Sequence, residues 1–297
     1  MSDFLLSIVT PVYNRASLLY RCYESLLAQT DRAFEWIVID DGSSDNIDEV
    51  FDRITRESAM RMQLIRKKNG GKHTALNASH PYLNGQYVLI LDSDDCLTSE
   101  AVSRIHHEWS HYEMNPEIGM LIWQKGKSEN DPNCMVKEER IIVDYQSYPR
   151  KPIHSRDCCE VIRTELFKQY PFPEFENEKF ISEGALWNRA SENHKCVYFN
   201  EVIYLCDYLE GGLTKSGKKL RISNPNGGMY TSYLRMGKRQ RIKEKIKGSV
   251  LYSCYGHFAG MNSFDIFNKE KGHSLMKAFG LFPGYVLYKK WKKEYGN

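Results

Sequence analysis

The chain has 297 residues, of which 41% are hydrophobic and 12% are aromatic. This length and apolar content exclude a small single-core module and a disordered chain, so we expect one large domain or two closely associated domains. No uninterrupted run of about 18 apolar residues occurs, which argues against a membrane-spanning helix. The N-terminus also lacks the basic segment of a signal peptide, so we expect a protein that is not secreted.

The net charge of +3 conceals an uneven distribution along the chain. Residues 215–297 contain 18 Lys and Arg but only 4 Asp and Glu, whereas the residues before them contain 23 basic and 34 acidic side chains. An acidic body with a basic C-terminal region predicts different partners for the two parts. The eight cysteines form no CxxC pair, which favours buried free thiols in a reducing cytoplasm over disulfides or a zinc site.

The first hundred residues alternate between strand and helix patterns. Short β-branched, apolar runs predict strands, and apolar side chains at helical spacing predict the helices between them. The predicted elements are a strand at 5–10, a helix at 17–29, a strand at 34–39, a helix at 47–60, a strand at 62–65, a helix start at 73–78 and a strand at 87–91. Strands that are apolar on both faces and alternate with helices predict an α/β fold with a parallel, doubly wound sheet.

The rest of the chain is less regular. The patterns predict strands at 118–124, 141–145 and 196–199, a loop at 130–137 and a helix at 185–192. A segment rich in Gly, Pro, Asn and Ser at 216–228 predicts a turn region, and helical patterns follow from Met229 onward. We therefore expect three parts, 1–98, 99–215 and a basic helical region at 216–297.

Polar side chains follow three of the predicted strands, where ligands bind in sheets of this kind. These strand ends carry Thr10–Asn14, the Asp40-Asp41 pair and Asp92-Ser93-Asp94-Asp95, and we expect them to form one acidic, partly aromatic cleft. Carboxylates at this density repel one another unless a cation or hydrogen-bond donors satisfy them, and oxygen ligands favour Mg²⁺ or Mn²⁺. The alternative is an acidic turn that caps the following helix.

A hard metal held by few carboxylates keeps positions open for phosphate oxygens, which predicts a nucleotide or diphosphate ligand. The chain contains no GxxxxGK[ST] loop and no GxGxxG after its first strand, so neither common phosphate loop is available. The metal and scattered basic groups would then hold the phosphates. Lys72 and His73, directly after Gly70-Gly71, are the candidates, with a solvated loop as the alternative.

Four motifs occur in an order that resembles the signatures of family 2 glycosyltransferases. They are Thr10-Pro11-Val12-Tyr13-Asn14, Ile39-Asp40-Asp41-Gly42-Ser43-Ser44-Asp45, Asn69-Gly70-Gly71 with Ala75 and Asn77, and Leu91-Asp92-Ser93-Asp94-Asp95. The resemblance covers about residues 4–100 and extends loosely into the middle of the chain. It implies the GT-A fold, with a Rossmann-like and mostly parallel sheet, a donor-binding half at 1–98 and an acceptor-binding half at 99–215. The implied donor is a nucleotide sugar, most often a UDP-sugar.

The resemblance also implies roles for individual residues. Those expected to bind the nucleotide sugar are Pro11, Val12, Tyr13, Asn14, Asp41, Asn69, Lys72, Asp92 and Ser93. Asp41 would accept a hydrogen bond from uracil N3, whereas Asp40 is either a ligand or a structural capping residue. Asp92 and Asp94 match the family's DxD motif. Because Asp95 extends that motif, the ligand of Mn²⁺ or Mg²⁺ stays open, with Asp94 and Asp95 as the predicted pair.

Sugar transfer also needs a general base for the acceptor hydroxyl. Glu183 directly precedes a predicted helix, where the family often places its base in a Glu-Asp pair; here Gly184 replaces the second acid. The alternative for Glu183 is a carboxylate that only favours the helix N-terminus. Trp187 is a candidate to stack on a sugar or a core tryptophan, and His73 is a second sugar-site candidate. We interpret Glu176 and Glu178 as surface charges.

The basic C-terminal region combines lysines with apolar side chains. Residues 238–247 are densely cationic, and 275–295 mix aromatic and aliphatic residues with lysines. This composition predicts contact with an anionic membrane surface through 238–295, the alternative being a solvated helix packed on the body. The acidic body and the lack of a recognition motif argue against nucleic acid as a partner.

The QxxRW motif and membrane spans of related processive synthases are absent, which implies a non-processive enzyme. The prediction is a metal-dependent, inverting transferase that uses a UDP-sugar and a glycan or lipid-linked glycan acceptor, in the synthesis of a bacterial surface polysaccharide such as capsule or O-antigen. We expect a cytoplasmic enzyme, free or peripheral on the inner face of the plasma membrane. The alternatives are a sugar nucleotidyltransferase, which usually has a glycine-rich phosphate loop, and a non-catalytic scaffold that binds glycan or lipid.

Overall fold

The structure is a computed structural model that describes residues 6–144, 151–153, 157–206 and 213–295. The chain divides into two compact units, one of residues 1–171 with 193–207 and the other of residues 172–192 with 208–297. This division by compactness differs from the predicted parts at 1–98, 99–215 and 216–297, which follow motifs and composition. Each unit is described by itself.

The N-terminal half of the first unit alternates strands and helices, as the sequence predicts. Its elements are β1 (Leu6–Val12), α1 (Ala16–Leu27), β2 (Phe34–Asp40), α2 (Ile47–Glu57), β3 (Met62–Arg66), α3 (Lys72–Ser79), a 3₁₀ turn (His80–Tyr82) and β4 (Tyr87–Ile90). Strands β1, β2 and β4 are buried along their whole length. Continuous burial explains why their sequences are apolar runs rather than alternating patterns.

The second half of this unit contains more strands than helices. Its elements are β5 (Cys96–Leu97), α4 (Ala101–Ser110), β6 (Ile118–Ser128), β7 (Asp131–Pro132), β8 (Cys134–Met135), β9 (Arg140–Val143), β10 (Lys151–Pro152), β11 (Cys158–Arg163), α5 (Thr164–Gln169) and β12 (Lys195–Leu205). The predicted loop at 130–137 therefore holds two short strands. Of the predicted strand at 141–145, Tyr145 lies outside the described residues.

The main sheet of the first unit has the strand order β3-β2-β1-β4-β11-β6-β12-β5. Strand β1 is parallel to β2 and β4, and β2 is parallel to β3, which confirms the predicted parallel half. Strand β11 runs antiparallel to both of its neighbours, whereas β12 is parallel to β6. Because β1 lies between β2 and β4, the segments that follow these three strands emerge at the same edge of the sheet.

Large aromatic side chains fill the core of this unit. Trp36, Trp109 and Trp123 are completely buried, and the ring centroids of Tyr87 and Trp109 lie 4.0 Å apart. All eight cysteines are buried and free, as predicted. A densely packed sheet of this kind holds its strand ends in defined positions.

Helices are the only regular secondary structure among the described residues of the second unit. These are α6 (Gly184–Ala190), α7 (Leu213–Ile222), α8 (Pro225–Leu234), α9 (Ile242–Phe258), α10 (Ser263–Asn268) and α11 (Ser274–Tyr295). In the part of the chain that the structure describes, no helix combines the length and apolarity needed to cross a membrane.

The predicted turn region at 216–228 is wrong, because α7 and α8 occupy most of it. Pro225 opens α8, where its missing N–H costs no helical hydrogen bond. Gly228 lies inside α8. A Cβ at that position would be 2.8 Å from the ring of Tyr255, so the close contact with this ring requires glycine. Its function is close helix packing rather than turn formation.

Candidate functional site

The candidate site lies in the first unit, at the carboxyl ends of β1, β2 and β4. Asn14 joins the loops after β1 and β2. Its N–H donates to Ser43 Oγ (2.9 Å), and its Oδ1 accepts from the N–H of Ser44 (2.8 Å). Asn14 has a φ of 49°, a left-handed conformation that Asn adopts more readily than most residues. The side chain beside it, Tyr13, is 49% exposed, whereas Pro11 and Val12 are buried strand residues.

Asp41, directly after β2, is buried and fully hydrogen-bonded by the chain itself. Its Oδ1 accepts from Lys67 Nζ (2.7 Å) and the N–H of Gly70 (2.9 Å). Its Oδ2 accepts from the N–H of Gly71 (2.6 Å) and from Asn69 Nδ2 (3.1 Å). A carboxylate offers about four acceptor positions. A hydrogen bond from uracil N3 would therefore have to share one of them, and this predicted contact stays a prediction.

Two glycines allow the segment 67–71 to wrap around Asp41. Gly42 has a φ of 79° and Gly71 a φ of 92°, both in the left-handed region that glycine adopts without steric cost. A Cβ on Gly42 would also lie only 2.8 Å from the backbone nitrogen of Asn69. The glycines of these two motifs thus serve the backbone geometry of the site.

Asp40, for which two roles were open, makes structural contacts. It is buried at the end of β2, and its Oδ1 accepts from the N–H of Ser43 (2.8 Å). Its Oδ2 lies 3.1 Å from Arg66 Nε. These contacts stabilise the turn after β2 and favour the structural alternative.

Two carboxylates of the turn after β4 each form an ion pair with a basic side chain. Asp92 pairs with Lys72 at the start of α3, and Asp94 Oδ2 lies 2.5 Å from Arg15 Nη1. All four side chains keep between 16% and 33% of their surface exposed. Burial opposes ionisation of Asp92, yet the charges of Lys72, Lys125 and Arg15 hold the pKa of this carboxyl below its ordinary value. Asp92 is therefore an anion at neutral pH.

Asp95 has a different environment, dominated by Tyr204 on β12. Asp95 is buried, and its Oδ2 accepts from Tyr204 Oη (2.8 Å). The same Oη accepts from the backbone N–H of Asp92 (3.0 Å). Burial raises the pKa of Asp95 to about 7. A single tyrosine hydroxyl thus attaches both ends of the acidic turn to the sheet.

Lys125 lies on β6, in register with Tyr204 on β12. Its Nζ is 3.9 Å from the centroid of the Tyr204 ring, and its charge favours the ionised forms of Asp92 and Asp95. The predicted cleft is therefore less acidic than its sequence suggests, because basic side chains from other elements balance its carboxylates.

The donor atoms of this turn suit a hard divalent cation. Within the described residues, no group of three or more His, Cys, Asp or Glu side chains is arranged to hold a metal ion. Mg²⁺ and similar ions, however, are commonly bound by one or two carboxylates together with substrate phosphates. Asp92 and Asp94 are partly exposed and offer oxygen ligands of this kind. Asp95 is buried against Tyr204. Of the predicted pair, Asp94 is therefore more accessible to a cation than Asp95.

The remaining predicted residues of the first unit are mostly buried. Ser93 is 3% exposed and His73 is 2% exposed, so the predicted contact of His73 with a sugar finds no support in its exposure. Asn69 contributes to the site through its hydrogen bonds to Asp41.

Glu183 and Trp187 belong to the second unit, where α6 confirms the predicted helix. Glu183 directly precedes α6, and its carbonyl oxygen accepts from the N–H of Leu186 (2.9 Å). Its side chain is half-buried. Trp187 is only 4% exposed, which favours a core tryptophan over a platform for a sugar.

The interpretation of Glu178 as a surface charge is wrong. Glu178 is buried, and its carboxylate accepts from the backbone N–H groups of Asn226 and Gly227, both at 2.8 Å. These N–H groups lie in the first turn of α8, where an acidic side chain stabilises the helix end. Glu176 is exposed, as predicted.

Four residues of the site do not appear among the predicted ones: Arg15, Lys67, Lys125 and Tyr204. Arg15 directly follows the first motif and Lys67 closely precedes the third, so a search for cations beside the motifs would have found both. Tyr204 is 109 residues from its partner Asp95. No local pattern marks Lys125 or Tyr204, because only strand pairing brings them to the site.

Comparison with known proteins supports the resemblance seen in the motifs. Residues 7–169 match the family described as Glycosyl transferase family 2. The chain is 31% identical to Glycosyltransferase GlyG of Streptococcus pneumoniae serotype 4 over 226 residues, which cover 71% of this chain and 73% of that protein. It is 40% identical to Hyaluronan synthase of Pasteurella multocida over 224 residues, which cover 75% of this chain but only 22% of the synthase.

Solved structures with a similar fold extend over nearly the whole chain. TarS 1–349 of S. aureus in complex with UDP-GlcNAc gives a TM-score of 0.66 at 15% identity, over 98% of this chain and 92% of that one. The mannosyltransferase PcManGT from Pyrobaculum calidifontis, in complex with GDP-Man and Mn²⁺, gives 0.58 at 14% identity, over 97% and 87%. The predicted α/β class is therefore confirmed, and this chain belongs to the family 2 glycosyltransferases and has the GT-A fold.

Proposed function

We propose that this glycosyltransferase moves a sugar from a UDP-sugar to a hydroxyl of a glycan acceptor, in a metal-dependent reaction that inverts the anomeric centre. The observation that carries the proposal is the turn Asp92–Asp95, whose two partly exposed carboxylates are paired with basic side chains at the carboxyl ends of three parallel strands. The UDP-GlcNAc in the TarS structure supports a UDP-sugar as donor, and the name of the Pasteurella hyaluronan synthase supports a glycan product.

The loops after β1 and β2 are the proposed position of the uridine. The exposed ring of Tyr13 offers a face on which a base can stack, and Asn14 holds its loop against the next one. Asp41, with the polar groups around it, closes this end of the pocket. The ribose then lies toward Asp92 and Ser93.

Arg15 and Lys72 are the proposed ligands of the diphosphate. Both are long side chains that now pair with carboxylates of the turn. Because they are partly exposed, each can leave its carboxylate and bind a phosphate oxygen when the donor enters. Asp92 and Asp94 would then hold the cation, for which the Mn²⁺ in the PcManGT structure is a precedent. Asp95 keeps its bond to Tyr204 and holds the turn in place.

Departure of UDP places negative charge on the β-phosphate. A bound Mn²⁺ or Mg²⁺ would supply Lewis-acid stabilisation of that charge. Lys72 and Arg15 add positive charge at the same place, in a site whose geometry is set before the reaction.

Glu183 is the proposed general base. The acceptor oxygen forms its bond to the anomeric carbon on the face opposite to UDP, the bond from that carbon to the phosphate oxygen breaks, and Glu183 takes the hydroxyl proton. Its half-buried position before α6 is compatible with this role.

The proposed acceptor is a glycan or a lipid-linked glycan of a bacterial surface polysaccharide such as capsule or O-antigen. The enzyme then acts in the cytoplasm or at the inner membrane face.

A donor screen tests this proposal. We expect UDP release from one or a few UDP-sugars in the presence of Mn²⁺ or Mg²⁺, and loss of that release with EDTA. Release from GDP-sugars alone would contradict the donor, and release that is unaffected by EDTA would contradict the metal.

The base is tested by Glu183→Gln, with Glu176→Gln as the control because Glu176 is exposed in the same segment. We expect Glu183→Gln to lower kcat for transfer by about 10²-fold or more, with little change in the donor KM. An unchanged kcat would refute the base assignment and leave the metal site standing.

A further inference from the structure

The last helix, α11, packs on α9 through a narrow face. A Cβ on Gly280 would lie 2.2 Å from the carbonyl oxygen of Ser249, and a Cβ on Gly284 would lie 2.5 Å from Ser253 Cβ. Trp291 is buried further along the same face. The two helices can approach closely only with glycine at these positions, so this contact determines which side of α11 faces away from α9.

The side of α11 opposite this contact is apolar. Leu275, Phe279, Phe282 and Val286 are 88%, 57%, 78% and 52% exposed. Their spacing of four, three and four residues places them in one line along the helix. At about 3.6 residues per turn, this line lies opposite Gly280 and Gly284 and is about 16 Å long. We call these four residues the outward stripe.

Lysines continue the outward stripe toward the end of the helix. Lys289, Lys290 and Lys293 occupy the next positions on the same side, and all three are exposed. Glu294 is the single acidic residue of α11, against five lysines. The exposed side of this helix therefore changes from apolar to cationic along its length.

A helix that packs on a soluble body normally presents polar side chains to water. Exposed aromatic and aliphatic side chains in a continuous line mark an interaction surface instead. The lysines at one end of the line select the partner, because anionic lipid headgroups attract clustered lysines while apolar side chains enter the boundary with the acyl chains. An ordinary apolar protein groove would leave these lysines without a complementary charge.

We propose that the outward stripe of α11 docks on an anionic membrane surface. The four apolar side chains enter the interface, and Lys289, Lys290 and Lys293 contact lipid phosphates. Membrane docking rests on the proposed function only in that it would bring the enzyme to a lipid-linked acceptor; the docking itself requires no sugar transfer.

Vesicle sedimentation with the full chain tests the proposal. We expect binding to vesicles of phosphatidylglycerol and phosphatidylcholine, weak binding to phosphatidylcholine alone, and partial release at high salt. The double substitution Phe279→Ser with Phe282→Ser should weaken binding by about tenfold or more. Changing Lys289, Lys290 and Lys293 to Gln should remove the preference for phosphatidylglycerol.

The control is Met114→Ser, which removes a side chain that is 92% exposed in the first unit and should leave vesicle binding unchanged. Thermal unfolding should show that the double variant is folded, and its UDP release without vesicles should equal that of the wild type. Failure of UDP release in every protein would contradict the proposed function without affecting the vesicle result.

Two outcomes would overturn membrane docking. One is a wild-type chain that does not bind phosphatidylglycerol vesicles, or a double variant that binds them as tightly. The other is a dimer in light scattering that becomes a monomer in the double variant while vesicle binding is absent from both. The outward stripe would then be an interface between two copies of the chain.

Discussion

The carboxylates that follow β2 and those that follow β4, on either side of β1, have their negative charges balanced in different ways. Asp41 accepts four hydrogen bonds from the segment 67–71, and two of them come from the backbone N–H groups of Gly70 and Gly71. Asp92 and Asp94 instead pair with the partly exposed side chains of Lys72 and Arg15. Backbone donors in a closed loop cannot leave without unfolding the loop, whereas a lysine or arginine side chain can rotate away.

This difference separates a structural charge from an exchangeable one. Asp41 holds two loops together, so we expect removal of its carboxylate to lower mainly the free energy of unfolding. The carboxylates of the turn after β4 can change partners, so we expect their removal to lower mainly the rate of UDP release. Substitutions at five positions test this distinction.

The largest effect is expected for Asp94→Asn. Loss of this carboxylate removes both the partner of Arg15 and a proposed ligand of the cation, and should lower kcat/KM for UDP-sugar by about 10³-fold, or about 4 kcal/mol. Steady-state UDP release measures it, with the exposed Asp52→Asn as the control. Activity within a few-fold of the wild type would show that Asp94 has no part in the reaction.

Asp41→Asn should lower the free energy of unfolding by about 3 kcal/mol. An amide cannot accept hydrogen bonds at both of its terminal atoms, and the charge of Lys67 would lose its partner. Urea denaturation measures the change. Asp92→Asn is the matched comparison and should change stability by less than about 1 kcal/mol, because its ion pair is partly exposed. Equal losses in the two variants would remove the distinction between the two acidic groups.

Lys72→Gln should raise the KM for the UDP-sugar by about 30-fold, or about 2 kcal/mol, because it removes a charged hydrogen bond to the diphosphate. Stability should change little, since the pair with Asp92 is partly exposed. Lys72→Arg should recover part of the affinity. A normal KM for Lys72→Gln would mean that the phosphates bind elsewhere.

The smallest effect is expected for Tyr204→Phe. This substitution should raise the concentration of metal needed for half-maximal activity by about tenfold. The ring stays in place, but the hydroxyl that binds Asp95 and the N–H of Asp92 is lost. Tyr23→Phe is the control, because the hydroxyl of this buried tyrosine has no hydrogen-bond partner among the described residues. A loss of stability with an unchanged metal requirement would reduce Tyr204 to a core residue.

Much of this site could be predicted from local patterns. Asp41 and Asp92 follow apolar runs that form strands, and a parallel sheet brings the carboxyl ends of such strands together. Lys72 begins the helix that follows Gly70-Gly71. The sequence could not indicate that Asp41 is already surrounded by donors, because that arrangement depends on the path of a loop about 30 residues away. Nor could it distinguish Asp94 from Asp95, since the pairing of β12 with β5 and β6 decides which of them meets Tyr204.

The second unit shows the same limit for glycine. The composition at 216–228 predicted turns, but Gly228 serves helix packing against Tyr255. The basic and apolar composition of 275–295 was visible in the sequence. Which side of α11 stays exposed was determined by the packing of its Gly280 and Gly284 against α9. Composition gives the numbers of apolar and basic side chains in a helix, and packing decides which of these side chains remain exposed.

The sequence by itself determined the family, the alternating elements and the acidic residues at the strand ends, because these depend on short-range spacing and on apolar runs. The tertiary structure decided which carboxylates are permanently satisfied, which are balanced by exchangeable cations, and that Tyr204 joins Asp92 to Asp95. The physical reason is that the balance of a buried charge depends on donors brought by strand pairing from distant parts of the chain, and no local pattern records them.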